Sequence, residues 1–571
     1  MVKLSPSHRP KTTESRVLRV GEANLAARAF VSFSIARSHH RFSPRESPQT
    51  LRFAENHRPQ AAPAPDMRQD RRVSLSATES IRTNGTRIRV FVLLPLVFLT
   101  SAGLLWWMVV PGNPLETAQI IATCLSWLAL IAAVVLLRHV PRRQVGAVII
   151  AGTVVLGLVA VSAPPRTSND SARYAWDGIV QKAGISPYLY VPIDETLSSL
   201  RPGWLFAPGS TSPDGNPICA KDLFGTESVA TSGYPSGTPL CTAINRPHVP
   251  TIYPPTAELF FLGVRATVPD TVGYLPMQLA GLLISVAVAL MLLRSLASRG
   301  SPPYLAAVWA WSPFVQLEAV NNAHVDVLGG ALILAAGMLL LGGKPIRSGA
   351  SFGAAVATKL IPVIAAPALL WRRPARFITA ALATFVLLYV PYVAIAGAGV
   401  LGFLPGYLKE ENYSQSGGIR FGLAQLVSAD PWPPVLSAAA LAVVALGVLR
   451  RTNARNVWEQ QTVMIGLTLL IVSPNYPWYG LMLLPFIVLS RRWEYVGVIL
   501  ALDVIYMVPS GPWSESLNQS ALLLAASAIC AGIWLRRRDE LRLAALAGLK
   551  TEAPDPAAQR QAPGPHVQTD G

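Results

Sequence analysis

Runs of roughly 17–25 apolar residues recur along the whole length of this chain, and each is long enough to cross about 30 Å of hydrocarbon as a helix. Of 571 residues 51% are apolar and 14% charged, in a pattern too segmented for one soluble core. The runs lie near 90–110, 117–137, 145–162, 273–293, 302–318, 325–342, 377–397, 434–449, 458–472, 478–490, 494–509 and 518–535. An all-α polytopic membrane protein with about 12 spans is expected.

Short loops rich in Lys and Arg mark the cytoplasmic side. Arg138, Arg142 and Arg143 share one side with Arg294 and Arg299, with Arg372, Arg373 and Arg376, with Arg450, Arg451 and Arg455, with Arg491 and Arg492, and with Arg536–Arg538. Segments 163–272 and 398–433 then fall outside, with the short turns Gln316–His324 and Ser473–Tyr479. The net charge of +17 is therefore mostly topology. Nucleic acid is excluded as a partner, because no soluble basic face with interleaved aromatics is present.

One segment breaks the parity. Between Lys344/Arg347 and Arg372/Arg373 lies a single apolar run with positive charge at both ends. Two half-helices, 349–358 and 360–371, meeting at Lys359 would keep both ends inside, as a re-entrant hairpin lining a cavity. The plainer alternative is one tilted helix with a snorkelling lysine.

Residues 1–85 are rich in Arg, Ser, Pro and Gln, and are expected to form a disordered basic cytoplasmic region. No apolar stretch there suits a cleavable signal peptide, and Met67 opens a compact basic leader, so residues 1–66 are expected to be dispensable. The tail 541–571 is expected to be disordered and cytoplasmic, leaving 86–540 as the transmembrane catalytic domain with an extracytoplasmic loop at 164–255. Cys124 and Cys530 fall inside helices as apolar-packed thiols. Cys219 and Cys241 fall in the outer loop, where an oxidising compartment favours a disulfide between them.

Every candidate site element lies on or projects toward the outer face. SNDSARYAWDG, Ser168–Gly178, places Asp170, Arg173 and Asp177 at the mouth of a span, where ionisable groups mark a substrate pathway or a reaction site unless they form an ordinary solvated pair. INRPHVPTIYPPTAELFF, Ile244–Phe261, brings His248 and Tyr253 on a proline-stiffened wall. Its continuation Thr256–Val268, interrupted by Arg265, reads as an interfacial helix. EAVNNAHVD, Glu318–Asp326, supplies Glu318, Asn321, Asn322, His324 and Asp326, of which capping explains some. SPNYPWYG, Ser473–Gly480, offers Trp478 and Tyr479 as a belt or as a stacking platform. Leu408–Leu426 is a candidate lid. Carboxylates, a cation and aromatic platforms beside a lipid-accessible groove suit transfer of a group from a lipid phosphate to a hydroxyl, with one carboxylate as base. Two acidic groups and one His are a weak metal signal, so no cofactor is expected and a divalent metal stays open.

RYAWDGIVQKAGISPYLYVP followed by INRPHVPTIYPPTAELFF resembles the large outer loop of bacterial GT-C glycosyltransferases, in particular glycosyltransferase family 87 and the polyprenol-phosphomannose-dependent α-1,6-mannosyltransferases. NNAHVD, ATKLIPVIAAPALL and SPNYPWYG resemble the Asn/His/Asp turn, the lysine-bearing broken helix and the late aromatic turn of that group. The likeness covers roughly residues 88–540. Many relatives carry two adjacent acidic residues before the Arg-Tyr-x-Trp-Asp-Gly string. Here the first is Asn169 and the second Asp170, which favours Asp170 as the retained carboxylate. The resemblance implies a GT-C-like helical bundle in the plasma membrane, an outer active site, a polyprenyl-phosphate sugar donor with mannose favoured among hexoses, a glycolipid or polysaccharide acceptor, and inversion with Asp170 as catalytic base. Arg173, Asp177, His248, Tyr253, Asn322, His324, Asp326, Lys359, Trp478 and Tyr479 are the candidate substrate-binding residues. A transporter or flippase of lipid-linked intermediates, or a surface-polysaccharide polymerase or ligase, are the competing expectations.

Overall fold

The computed structural model describes residues 91–112, 117–220, 223–224, 228–410, 420–429, 431–508 and 513–551. The expected N-terminal region 1–85, the tail beyond Thr551 and residues 411–419 of the candidate lid lie outside these. The helices are α1 (Phe91–Val109), α2 (Thr117–Leu137), α3 (Arg142–Ala160), α4 (Asp170–Lys182), α5 (Pro255–Ala266), α6 (Leu275–Ala297), α7 (Asp326–Leu341), α8 (Pro345–Val356), α9 (Pro374–Ala396), α10 (Trp432–Arg451), α11 (Val457–Val472), α12 (Val496–Met507) and α13 (Ser514–Thr551). The last runs past the expected boundary at 540.

Seven of these helices are long and apolar enough to span: α1, α2, α3, α6, α9, α10 and α13. The chain is a multi-pass membrane protein, almost wholly helical outside one small lobe that carries its few short strands. The expected count of about 12 is not matched by twelve continuous helices among the described residues, because several apolar runs are broken. Run 302–318 is divided by Pro302, Pro303 and Pro313 into short turns, and it continues as a π-helix at Gln316–Asn321. That segment, Pro313–Asn321, meets α7 at 112°. The spanning helices keep apolar side chains outward, such as Leu382, Val386, Leu387 and Val390 of α9. Cys124 and Cys530 share this outward exposure instead of packing inside, since their helices present those faces to the surroundings.

With apolar surface on both sides, helices here gain from close backbone approach more than from water exclusion. Gly349 and Gly353 of α8 let α9 come so near that a Cβ would stand 2.2 Å from Phe377 O and 2.3 Å from Ala381 O. After α8 the chain breaks at Ala357–Leu360 and resumes as a 3-10 turn, Ile361–Leu369, in which Pro362 and Pro367 lack the N–H a helix would use. The freed carbonyl of Ala357 accepts a bond from Thr256 N of α5 at 2.8 Å. Lys359 thus sits at the tip of two short half-segments.

Residues 163–272 form a lobe. Its sheet is antiparallel, β1 (Phe206–Pro208), β5 (Pro239–Thr242) and β4 (Val229–Ser232) in that order, with Ala207 and Ala230 both opposite Cys241. A smaller pair joins β2 (Ser210–Thr211) to β3 (Pro217–Ile218). Cys219 and Cys241 are joined by a disulfide. The lobe core gathers Trp176, Leu205, Phe206, Cys241 and Ile244. Helices α4 and α5 pack through Gly178, where a Cβ would lie 2.5 Å from Phe261 O. Gly178→Ala must push the two helices apart, at a cost of about 1–3 kcal/mol. It is expected to lower the thermal midpoint of the purified protein, read by tryptophan fluorescence. Arg265 does not break α5 toward lipid. It turns inward, fully buried, and its guanidinium donates to the carbonyls of Val272, Gly273 and Pro269.

Candidate active site

Asp170 opens α4, in the first turn, where the helix dipole favours a carboxylate. What reads in sequence as a loop at the mouth of a span is thus the start of a helix. Asn245 Nδ2 donates to Asp170 Oδ1 at 3.2 Å, and the Tyr174 hydroxyl donates to Oδ2 at 3.4 Å. The Asp170 side chain keeps 16% exposure and lines a cavity of about 1310 Å³. Ligand pockets commonly run about 300–1,000 Å³, so this one has room for two substrates.

The π-helix supplies the wall behind Asp170. Its wider turn, closed by Asn322 N donating to Leu317 O, aligns Glu318 with Asn322, whose Nδ2 donates to Glu318 Oε2 at 3.1 Å. Ala323 then takes φ 55°, a left-handed conformation that L residues adopt at a cost, and this reverses the chain into α7. His324 follows, fully buried. Its Nδ1 lies 3.7 Å from Asp170 Oδ2 and its Nε2 3.2 Å from Glu318 Oε2, and neither contact is a made hydrogen bond. The ring stacks on Trp478 at 3.8 Å, and Trp478 stacks on Tyr476 at 4.6 Å.

Lys359 enters from the broken segment. Its Nζ is 2.9 Å from Asp326 Oδ2 at the start of α7 and 4.7 Å from the centre of the Tyr479 ring. An ammonium carries three donors, so one partner leaves others for the cavity it lines. Tyr253, Trp478 and Tyr479 complete the polar end, with Asp503 and Tyr506 of α12.

Six expected site residues do not line the cavity: His324 and Asp326 stand behind it as described, and Arg173, Asp177, His248 and Asn322 serve elsewhere. Arg173 and Asp177 form a buried pair, Nε to both carboxylate oxygens at 3.0 and 3.1 Å, and the Arg173 guanidinium also donates to Arg246 O and Val249 O. They brace α4 against the proline-rich strap. His248 is exposed and bonds Thr231 Oγ1 at 2.9 Å on the sheet, because the flanking prolines turn it toward the lobe. Asn322 holds the backbone of Arg166 and Thr167 through its Oδ1, and so shapes the rim from behind.

Behind the α4–α5 contact lies Glu258, which nothing in the sequence singles out. It is fully buried, accepting from the Thr251 hydroxyl and from Gln181 Nε2, both at 2.7 Å. Burial, and then the nearby charge of Asp177, pushes the Glu258 carboxyl well above its usual range, so the fold holds it protonated. Because the folded value is raised, the stability it contributes is full below about pH 4.3 and declines as pH rises toward release of that proton. The decline is at most about 1.4 kcal/mol per pH unit. Glu258→Gln should flatten this slope, and the difference between wild-type and variant melting curves across pH 5–9 measures it.

Among the described residues no group of three or more His, Cys, Asp or Glu side chains is arranged to hold a metal ion.

Residues 251–474 match the model of glycosyltransferase family 87. The matched stretch carries Tyr253, the π-helix, His324, Asp326 and Lys359, and stops short of Trp478, while Asp170 and the disulfide precede it. No curated protein matches the chain, and no solved structure does. The protein is an enzyme, a membrane glycosyltransferase, and the match favours glycosyl transfer over the transporter expectation.

Proposed function

We propose that the protein transfers a hexose, mannose foremost, from a polyprenyl-phosphate donor to a hydroxyl of a glycolipid or polysaccharide acceptor on the outer face of the plasma membrane, with inversion. The observation that carries this is one cavity lined by both a carboxylate held at a helix start, Asp170, and a cation at the tip of a broken segment, Lys359. The acceptor oxygen attacks the anomeric carbon and its proton passes to Asp170. The bond from that carbon to the phosphate oxygen breaks, and its electron pair leaves with the polyprenyl phosphate. That leaving group gains negative charge and needs no proton, so a fixed ammonium suits it. Tyr253, Trp478 and Tyr479 supply an aromatic edge to the cavity beside which a sugar ring can sit. Asn245 and Tyr174 orient the carboxylate, with His324 seated between Asp170 and Glu318.

Purified protein given radiolabelled polyprenyl-phosphate mannose, glucose or arabinose with a membrane extract is expected to move label from the mannose donor into acceptor. The product linkage should have the opposite anomeric configuration to the donor. Absence of transfer from all three donors overturns the proposal.

A further inference from the structure

Helix α12 carries Asp503 in the middle of an apolar run, between Leu502 and Val504. The residue is 9% exposed and lines the cavity together with Tyr506, one turn further along the same face. Among the described residues Asp503 accepts no hydrogen bond and meets no cation, and its charged neighbour is Glu318, a second carboxylate. Its oxygens are not sealed inside protein, as Oδ1 of Asp326 is, so they open on the cavity. Glu318 differs, because Asn322 already donates to it. A carboxylate taken out of water without a partner is costly, and inside an apolar segment such a group marks something to be bound.

The setting narrows what that ligand is. An anion such as the donor phosphate is repelled by Asp503 and Glu318 together. An isoprenoid chain has no donor to give. A pyranose is uncharged, presents hydroxyl donors at its rim and apolar C–H on its faces, and so fits a carboxylate flanked by aromatic rings. Those rings stand in a row. Lys359 lies over Tyr479, whose ring centre is 6.5 Å from that of Tyr476, and Tyr476 is 6.4 Å from Tyr506. All four residues line the cavity. At its far end the row reaches the carbonyl of Thr167, which accepts from the Tyr506 hydroxyl on the rim just before Asp170. The row therefore runs from the cation proposed for the leaving phosphate to the rim beside the proposed base. In an in-line displacement the sugar being transferred lies between those two groups. Asp503 stands beside that position, about 4.5 Å short of Tyr506 along α12.

We infer that Asp503 is a sugar-binding residue, which accepts hydrogen bonds from hydroxyls of the transferred hexose and so selects the hexose that is moved. The inference rests on the glycosyl-transfer reading and adds a specificity determinant to it.

Full-length wild type, Asp503→Leu and Asp503→Asn in nanodiscs would receive polyprenyl-phosphate mannose or glucose, whichever the wild type uses better, with a membrane extract as acceptor. Analogues of that donor, each lacking one sugar hydroxyl, complete the set. Asp503→Leu should raise the KM for the intact donor about tenfold or more, as for loss of a hydrogen bond to a charged group, and leave the extract KM unchanged. Asp503→Asn keeps an acceptor oxygen and should recover part of that loss. One analogue should show a similar loss with wild type and no further loss with Asp503→Leu, because the bond it lacks is already gone. The melting midpoint of Asp503→Leu should not fall, since no protein group is left without its partner. Equal losses for every analogue in wild type and variant overturn the inference. A rise confined to the extract KM gives the site to the acceptor and overturns it too, as does a lower midpoint with an unchanged donor KM, which makes Asp503 structural. Each of these outcomes leaves glycosyl transfer standing, whereas no transfer by the wild type from either donor removes the hexose-transfer reading itself.

Discussion

Asp170→Asn should slow single-turnover transfer about 100-fold or more while donor binding persists, because the amide keeps the shape and cannot take the acceptor's proton. The neighbouring contacts allow the swap: Asn245 still donates to the remaining oxygen, and Tyr174 bonds at 3.4 Å and is weakly engaged. Asp177→Asn should behave differently. It leaves the Arg173 guanidinium buried without its counter-charge, a change that costs about 3–5 kcal/mol when one partner of a buried pair is removed. Its expected signature is lost stability or yield, with normal transfer per folded molecule. With donor pre-bound to each variant, a wild-type rate for Asp170→Asn beside a dead Asp177→Asn would reverse the assignment. Wild-type rates for both would remove the base from α4 altogether.

Lys359→Met should lower turnover by roughly two to three orders of magnitude, the range seen when one preorganised group facing developing charge is removed. The single variant also strands Asp326, 2% exposed, without its cation. Lys359→Met/Asp326→Asn relieves that burden and separates the two effects. If Lys359 meets the departing phosphate, the double variant folds as well as wild type and stays inactive. Recovery of transfer in the double variant would instead make the lysine a structural partner of Asp326.

Much of this was legible from residues. Span length and apolarity locate α1, α2, α3, α6, α9, α10 and α13, since each is a continuous apolar run of bilayer length. The break at Lys359 follows from charge at both ends of one run, which a single crossing cannot satisfy. Segment Asp170–Lys182 does carry polar residues at helical spacing, Asp170, Arg173, Asp177 and Gln181, but they read as site chemistry in a loop because the face they form is turned inward and not to water. Arg173 and Asp177 look like site residues by type, but they pair with each other one helical turn apart, as the alternative of an ordinary pair had it, though buried and not solvated. The π-helix was read as a turn because its polar residues face inward, toward Asp170 and the 166–169 rim, and not toward water. Asp503 was the missed signal: a carboxylate inside an apolar run marks a cavity at least as well as one at its edge.

The partners that hold Asp170 and its rim arrive late in synthesis. Asn245 follows Asp170 by 75 residues, and Tyr506, whose hydroxyl donates to Thr167 O, follows Thr167 by 339. A ribosome therefore delivers the carboxylate with only Tyr174 of its own helix at hand, and its other partners follow later. The rim at Thr167 is therefore completed only once α12 is in place, near the end of translation.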